Sequence, residues 1–403
     1  MAVVSDRTSS PPSPASSPRT GEFLLVESGP DGYWAFHPRP LPPQPPLRID
    51  AAMQKLLDRT NQALGRLDGI TLLLPDPDQF IYTFVRKEAV LSSQIEGTQS
   101  SLSDLLLFEH GVAPGALRED ARETANYIAA LDYGLDQIAR PGAPPLSARL
   151  LRDVHRRLLQ TARGADKNPG EFRREQNWLG GARPSVARFV PPPWPEVVPA
   201  MSALEKFIYD DPEPTPVLVK AALAHAQFET IHPFLDGNGR VGRLLITLLL
   251  CSEGVLSRPL LYLSLHFKRN RDTYYEHLQR VRTDGTWEDW LRFFLEGVIE
   301  VAESTTQTTQ RVVAMVERDR QTIHSFGRGA ATAHRVHDLA IRSVVIGASS
   351  AARQLDLTGP PVYAAIERLA KAGILREATG RQRGKLYVYN EYLEILSEGT
   401  EPL

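Results

Sequence analysis

One cysteine in 403 residues leaves no disulfide to form, which excludes the stapled framework of a small oxidised domain. That residue, Cys251, closes an apolar run over 244–251, where a packed and inert thiol is expected rather than a nucleophile. The same run is too short to cross a bilayer. No apolar segment opens the chain, so no secretory leader is read, and a soluble protein in a reducing cytoplasm is the expectation. Excess charge is missing too: 46 basic residues stand against 48 acidic ones, a formal net charge of −2. Composition therefore gives no general argument for a nucleic-acid partner. No Gly-Lys-Ser/Thr follows a glycine cluster and no His-Glu-x-x-His occurs, so neither a Walker phosphate loop nor a zincin site is present. The length leaves room for about two or three domains.

What the chain does have is His232-Pro233-Phe234-Leu235-Asp236-Gly237-Asn238-Gly239-Arg240-Val241-Gly242-Arg243, flanked on both sides by apolar, helix-forming residues. This chemistry suits a polyphosphate. The triplet Gly237-Asn238-Gly239 precedes an apolar run that predicts a helix over 241–253. Glycines there let the backbone take positive φ and turn its N–H groups to a ligand, and the helix start favours an anion. Arg240 and Arg243 lie three apart, on one face of the first turn, where both can fork onto phosphate oxygens. Asp236 is placed to hold a Mg²⁺ that bridges phosphates. His232 precedes the turn and can accept a proton from an attacking hydroxyl near neutral pH. Each piece alone is usually structural. Their joint occurrence at this spacing makes the functional case.

With every fixed position matched, the stretch closely resembles the signature of the Fic/Doc family, His-Pro-Phe-x-Asp/Glu-Gly-Asn-Gly-Arg-x-x-Arg. The resemblance implies transfer of AMP from Mg-ATP to a Ser, Thr or Tyr hydroxyl of a protein, with release of pyrophosphate. The chain itself is one candidate target. It further implies His232 as general base, Asp236 as Mg²⁺ ligand, Gly237, Asn238 and Gly239 as anion cradle, and Arg240 and Arg243 as phosphate clamps. Doc-type kinases and phosphocholine transferases share the scaffold, so the motif alone leaves the nucleotide pose open. Dimers often tune inhibition in the family, which makes a homodimer a candidate assembly.

Ahead of the signature, residues 1–20 are Ser- and Pro-rich and expected to be disordered, and 29–46 reads as an extended, Pro-rich wrap. From Ile49 apolar residues recur at helical spacing (Met53, Leu56, Leu57, Ala63, Leu64, Leu67), and Pro75 breaks the pattern. A second helix is predicted over 80–92. It runs into Ser92-Ser-Gln-Ile-Glu96-Gly97, which reads as a helix end with Gly97 at C′ and a carboxylate in need of a cation. Ser-x-x-x-Glu-Gly also resembles the inhibitory motif of the Fic family, with Ser92, Glu96 and Gly97 at its fixed positions. That likeness implies a Glu96–Arg243 pair that spoils the γ-phosphate pose, in the class with a built-in N-terminal inhibitory helix. In some members such a Glu activates water to remove AMP, so de-AMPylation through Glu96 is also implied.

Further helices are predicted over 118–139, 147–160, 195–209 and 217–229; in the second, His155 lies in an apolar stripe and reads as core-edge, and in the last His225 reads as structural. Gly180-Gly181 with the return 187–190 predicts a short hairpin. In Fic proteins a hairpin here is the flap that aligns the target peptide, and Leu179 and Gly180 then border the nucleotide; Gly170-Glu-Phe-Arg, Asn177-Trp-x-Gly-Gly and Phe189-Val-Pro-Pro-Pro carry that likeness. Tyr274 and Tyr275, with Leu278 one turn on, suit an adenine ring. A closing helix over 287–297 and a separate one over 302–323 follow. Family resemblance covers 49–321. The expected fold is mainly α: a Fic-type helical core with a short β-hairpin flap.

The rest reads as a winged helix-turn-helix: helix 350–355, a turn, helix 361–372 with Gly373 as its stop, then strands 374–377 and 386–389 around a basic loop carrying Arg381, Arg383 and Lys385. DNA and protein partners are weighed equally for it. The expected division is 1–48 N-terminal segment, 49–140 helical region with the inhibitory motif, 141–300 catalytic core, 301–340 connecting helical region and 341–403 winged module. An alternative reading makes the whole a nucleotide-responsive DNA-binding regulator.

Overall fold

A computed structural model describes residues 17–26, 32–71, 77–112, 118–140, 142, 146–161 and 163–402. The segment expected to be disordered lies mostly outside them, and so does the break at Pro75. In chain order the elements are β1 Gly21–Val26, β2 Tyr33–Pro38, α1 Ala51–Thr71, α2 Pro77–Ile95, α3 Leu102–Glu109, α4 Arg118–Ile138, α5 Ala148–Leu159, α6 Val197–Ile208, α7 Val217–Ile231, α8 Asn238–Ser252, α9 Ser264–Arg269, α10 Arg271–Asp284, α11 Trp287–His324, α12 Ala330–Ser343, β3 Val345–Gly347, α13 Ala348–Gln354, α14 Gly359–Lys371, β4 Leu375–Glu377, β5 Leu386–Tyr389 and α15 Asn390–Ser397. The fold is mainly α, as expected from the sequence.

The described chain forms two compact units. One comprises Met1–Asp58, Ala129–Val255 and Asn270–Glu296, the other Arg59–Ile128, Leu256–Arg269 and Gly297–Leu403.

The first unit is built around α7. Every residue from Leu218 to Ile231 is buried, the mark of a helix packed on all sides. Its one lysine, Lys220, is neutralised by Asp210 at 2.9 Å and Glu253 at 3.0 Å. Helix α8 packs closely on α7 because Gly242 has no side chain: a Cβ there would stand 2.5 Å from Glu229 Oε1. Trp290 donates its indole N–H to the Ala222 carbonyl at 2.8 Å. An antiparallel hairpin, β1–β2, runs from Gly21↔Pro38 to Val26↔Tyr33. Proline punctuation hid β2 within what reads as an extended wrap.

In the second unit α2 packs against α9, α12 and α15. A three-stranded antiparallel sheet has the order β3-β5-β4, with Val345↔Val388 and Leu375↔Tyr389 in register. The sequence predicts two helices over 287–323, but a single helix, α11, runs straight through. Gly297 is not a break. A Cβ there would collide with the His266 ring, so the glycine lets α9 lie against α11. Three buried groups tie α11 to the sheet: Tyr389 donates its hydroxyl to Asp319 Oδ2 at 2.7 Å and lies 3.0 Å from His337 Nε2. Among the described residues no helix is long and apolar enough to cross a membrane.

Candidate active site

Helix α7 ends at a strained residue. His232 adopts φ 51°, ψ 59°, the left-handed region, while its N–H still reaches back to the Phe228 carbonyl at 2.9 Å. For a residue with a Cβ this conformation costs roughly 1–2 kcal/mol. It persists only where the surroundings over-determine it. Here they do. Arg173 donates through Nε to the His232 carbonyl at 3.0 Å, and its own amide donates to the Pro233 carbonyl at 2.9 Å. Asn177 donates through Nδ2 to the Phe234 carbonyl at 2.9 Å. From the far side Asn238 clamps the same residue, accepting from the Phe234 amide and donating to its carbonyl, both at 2.8 Å. Hydrogen bonds from a charged donor contribute about 1.5–3 kcal/mol each, so Arg173 alone can offset the strain.

The carbonyl of Asp236 is held as well. His155 accepts the Gly170 N–H at Nδ1, 2.8 Å away, which leaves Nε2 to donate to the Asp236 carbonyl at 3.0 Å. Its ring stacks on Phe234 with centroids 3.8 Å apart. Burial lowers the His155 pKa to about 4, so it works as a neutral donor and acceptor. Gly237 takes φ 78° as the N-cap of α8; a Cβ there would meet Leu158 and His155 only at ordinary contact distance, so the left-handed backbone is what calls for glycine. The leading amides of α8, from Asn238 on, lack intrahelical acceptors by helix geometry, and Gly239 adds no side chain there.

Arg240 and Arg243 are both buried, at 1% and 2% exposure. Arg240 lies 3.5 Å from Asp236 Oδ1, and that oxygen also accepts the Gly237 N–H at 2.6 Å. The Asp236 carboxylate is itself about a third exposed. No group of three or more His, Cys, Asp or Glu side chains able to hold a metal occurs among the described residues. A single partly exposed carboxylate still fits Mg²⁺, which commonly takes one or two carboxylates and completes its shell with phosphate oxygens and water.

Leu179 and Gly180 lie on a hairpin closed by one bridge, Leu179↔Phe189, with Arg188 N–H on the Gly180 carbonyl at 2.8 Å. A short 3₁₀ turn, Pro184–Val186, forms its tip. Strand β2 supports the return: the Phe36 N–H donates to the Val190 carbonyl at 2.8 Å. Arg282 joins this hairpin to the end of α7, lying 4.0 Å over the Phe189 ring and donating to Thr230 Oγ1 and the Glu229 carbonyl.

The two tyrosines differ. Tyr274 is buried, with its hydroxyl 2.8 Å from His225 Nε2 in a stack that includes Trp290, whereas Tyr275 is half-exposed. His225 in turn donates from Nδ1 to the Gly242 carbonyl at 2.8 Å. Ser92, Glu96 and Gly97 stand at the end of α2, in the second unit: Ser92 is buried, Glu96 half-buried, and Gly97 left-handed at φ 100°.

Residues 54–136 match the Fic/DOC family N-terminal profile and 145–250 the Fic/DOC family profile. The chain thus carries both an N-terminal and a main domain of the Fic/DOC family over these residues. A protein adenylyltransferase Fic of Culex quinquefasciatus is 30% identical over 299 residues, 71% of this chain and 56% of that protein. One of Aedes aegypti is 27% identical over 251 residues, 62% of this chain and 46% of that protein. One of Drosophila yakuba is 29% identical over 174 residues, 42% and 32%. The chain thus spans about half or less of the length of these curated relatives. Among solved structures, a Fic family protein of Desulfovibrio desulfuricans superposes with TM-score 0.54 at 21% identity, covering 86% of this chain and 98% of its own. A Fic-domain signaling protein of Bacteroides thetaiotaomicron gives 0.50 at 20% identity, covering 62% and 97%. These two likenesses show the fold.

Within the matched Fic/DOC segment the signature brings His232, Asp236, Gly237, Asn238, Gly239 and Arg240 onto one turn because they are neighbours in sequence. The supports of that turn do not stand out in the sequence. His155 reads as core, and Arg173 and Asn177 only as parts of a family likeness. What signal there was lay in Gly170-Glu-Phe-Arg173, an arginine in a stretch with no helical or strand period.

Proposed function

We propose that this Fic/DOC protein is a protein adenylyltransferase that moves AMP from ATP to a hydroxyl of a target protein. His232 removes the proton from the hydroxyl, the oxygen attacks the α-phosphorus, and the bond to the bridging oxygen breaks to release pyrophosphate. The amides at the start of α8, with Gly237 and Gly239 free of side chains, cradle the phosphates, and Arg240 and Arg243 neutralise them. Bound Mg²⁺, held by Asp236, supplies charge neutralisation on the phosphates. Catalysis is then mostly positioning and charge stabilisation. Leu179 and Gly180 border the nucleotide from the hairpin, Tyr275 supplies an aromatic face to adenine, and Tyr274 backs it from the core. The observation that carries this reading is the left-handed His232 fixed beside an open helix start. Incubation with ATP labelled on the α-phosphate should label proteins of a lysate, the chain included, and the His232→Ala protein should label none. Equal labelling by both would end the proposal.

We further propose that Glu96 restrains this transfer by engaging Arg243, the arginine needed by the γ-phosphate. The upstream Ser92-x-x-x-Glu96-Gly97 motif at the end of α2 supports it. Replacing Glu96 by Gly should raise AMP transfer, and an unchanged rate would reduce the motif to a helix end. Loss of AMP from a pre-labelled target, dependent on Glu96, would identify a hydrolytic role instead. Residues 341–403 are read as a winged helix-turn-helix. The strand order β3-β5-β4 and the exposed Arg381, Arg383 and Lys385 support that reading. A salt-sensitive shift of duplex DNA, lost when Arg381 and Arg383 are changed, would assign it DNA rather than a protein partner.

A further inference from the structure

We infer that Arg173 is the positioning residue of the transfer reaction, holding His232 in its left-handed backbone by a planar fork of donors to main-chain carbonyls. The inference rests on the reading of His232 as general base. Arg173 is 3% exposed. Burial lowers its pKa to about 10, so it remains charged at neutral pH. Among the described residues no carboxylate pairs with it. Its donors go to carbonyls instead: Nε to His232 at 3.0 Å, Nη1 to Glu175 at 3.2 Å, and Nη2 to Pro192 at 2.6 Å and, at the limit of a hydrogen bond, to Ile231 at 3.5 Å.

A guanidinium used only to pack a loop would gain nothing from facing the two carbonyls that bracket the turn into a strained residue. Here the fork joins the Ile231 and His232 carbonyls on one side to the Glu175 and Pro192 carbonyls on the other. Rotating the His232 peptide out of the left-handed region would pull its carbonyl off Nε and leave a buried donor unpaired. The imidazole is thereby aimed through its backbone, with no contact between Arg173 and the reacting atoms required. A lysine cannot reproduce this. Its ammonium is a single point with three donors and no plane, and it cannot span four carbonyls arranged on two sides of a fork.

The test uses the full chain carrying Glu96→Gly, with Arg173→Met and Arg173→Lys compared. Nucleotide binding should stay within about threefold in both, while kcat for AMP transfer falls by about a hundredfold, the loss expected when a reacting group is misplaced by about an ångström. Millimolar methylguanidinium should restore part of the rate of an Arg173→Gly protein. In protein labelled with ¹³C-histidine, the ring signal of His232, assigned by its loss in His232→Ala, should move or broaden in both variants, while that of His337 stays in place. An unchanged His232 signal, or a kcat in a folded variant equal to that of the parent, overturns the inference. If Arg173→Met does not fold, Arg173→Lys decides by the same readings. A parent that transfers no AMP, with the His232 signal still shifted by Arg173 variants, would refute the adenylyltransferase reading and leave the positioning role standing.

Discussion

Helices α7 and α2 both end in a left-handed residue, and they reach it by opposite means. At α2 the residue is Gly97, which adopts φ 100° without a steric penalty. The turn closes on itself, with Gly97 N–H on the Gln94 carbonyl at 3.0 Å and Thr98 N–H on the Ser93 carbonyl at 3.2 Å. Its supports are side chains: Gln94 donates to the Ser100 and Thr400 carbonyls, and Lys268 donates to Gln94 Oε1 at 2.7 Å and to the Gly399 and Glu401 carbonyls. At α7 the residue is His232, which keeps its side chain at the expense of backbone strain and relies on Arg173, Asn177 and Asn238 to hold it. A glycine would end α7 more comfortably. A histidine there makes sense when the imidazole has work that only this aim allows.

The largest effect should come from the strained end. His232→Ala should lower AMP transfer by at least about a hundredfold, the usual contribution of a positioned base, while nucleotide binding survives. Next comes acid. His155 and His225 have pKa values lowered to about 4 and about 3 by burial, while the unfolded chain takes up these protons near 6.5. Their contribution is complete above about pH 6.5 and falls as pH drops toward 4. By pH 5 the loss is about 2 kcal/mol for each, read as a lower urea midpoint than at pH 7. At the relaxed end, Lys268→Met leaves three acceptors without their donor and should lower stability by about 2 kcal/mol, measured the same way.

The smallest effects sharpen the contrast most. Gly97→Ala forces a Cβ into the left-handed region and should lower stability by about 1 kcal/mol. His232→Gly relieves such strain and should leave the thermal midpoint at or above that of the parent, although transfer is lost. Equal losses of stability at both positions would show that His232 is not strained.

What could be read from sequence follows the same division. The signature residues were legible because chemistry and contact are both local: the turn from His232 to Arg243 brings its own parts together. Helix spans were legible where apolar spacing is regular, as in Met53 to Leu67. The supports were not, because Arg173, His155 and Asn177 act on carbonyl oxygens, and a carbonyl carries no residue identity to search for. Gly297 stands at the end of the expected helix 287–297 although it is a contact inside α11, which only the packed His266 ring reveals. The strands β1 and β2 do not alternate cleanly and β3 is only three residues long, and the buried Tyr274 is spelled the same as its half-exposed neighbour.

The most direct test binds Mg-ATP to the Glu96→Gly protein and to its His232→Ala derivative, then follows AMP transfer in both. Comparable nucleotide affinity with transfer only when His232 is present is the expected result. Transfer that persists without the imidazole, or nucleotide that binds neither protein, would contradict the account.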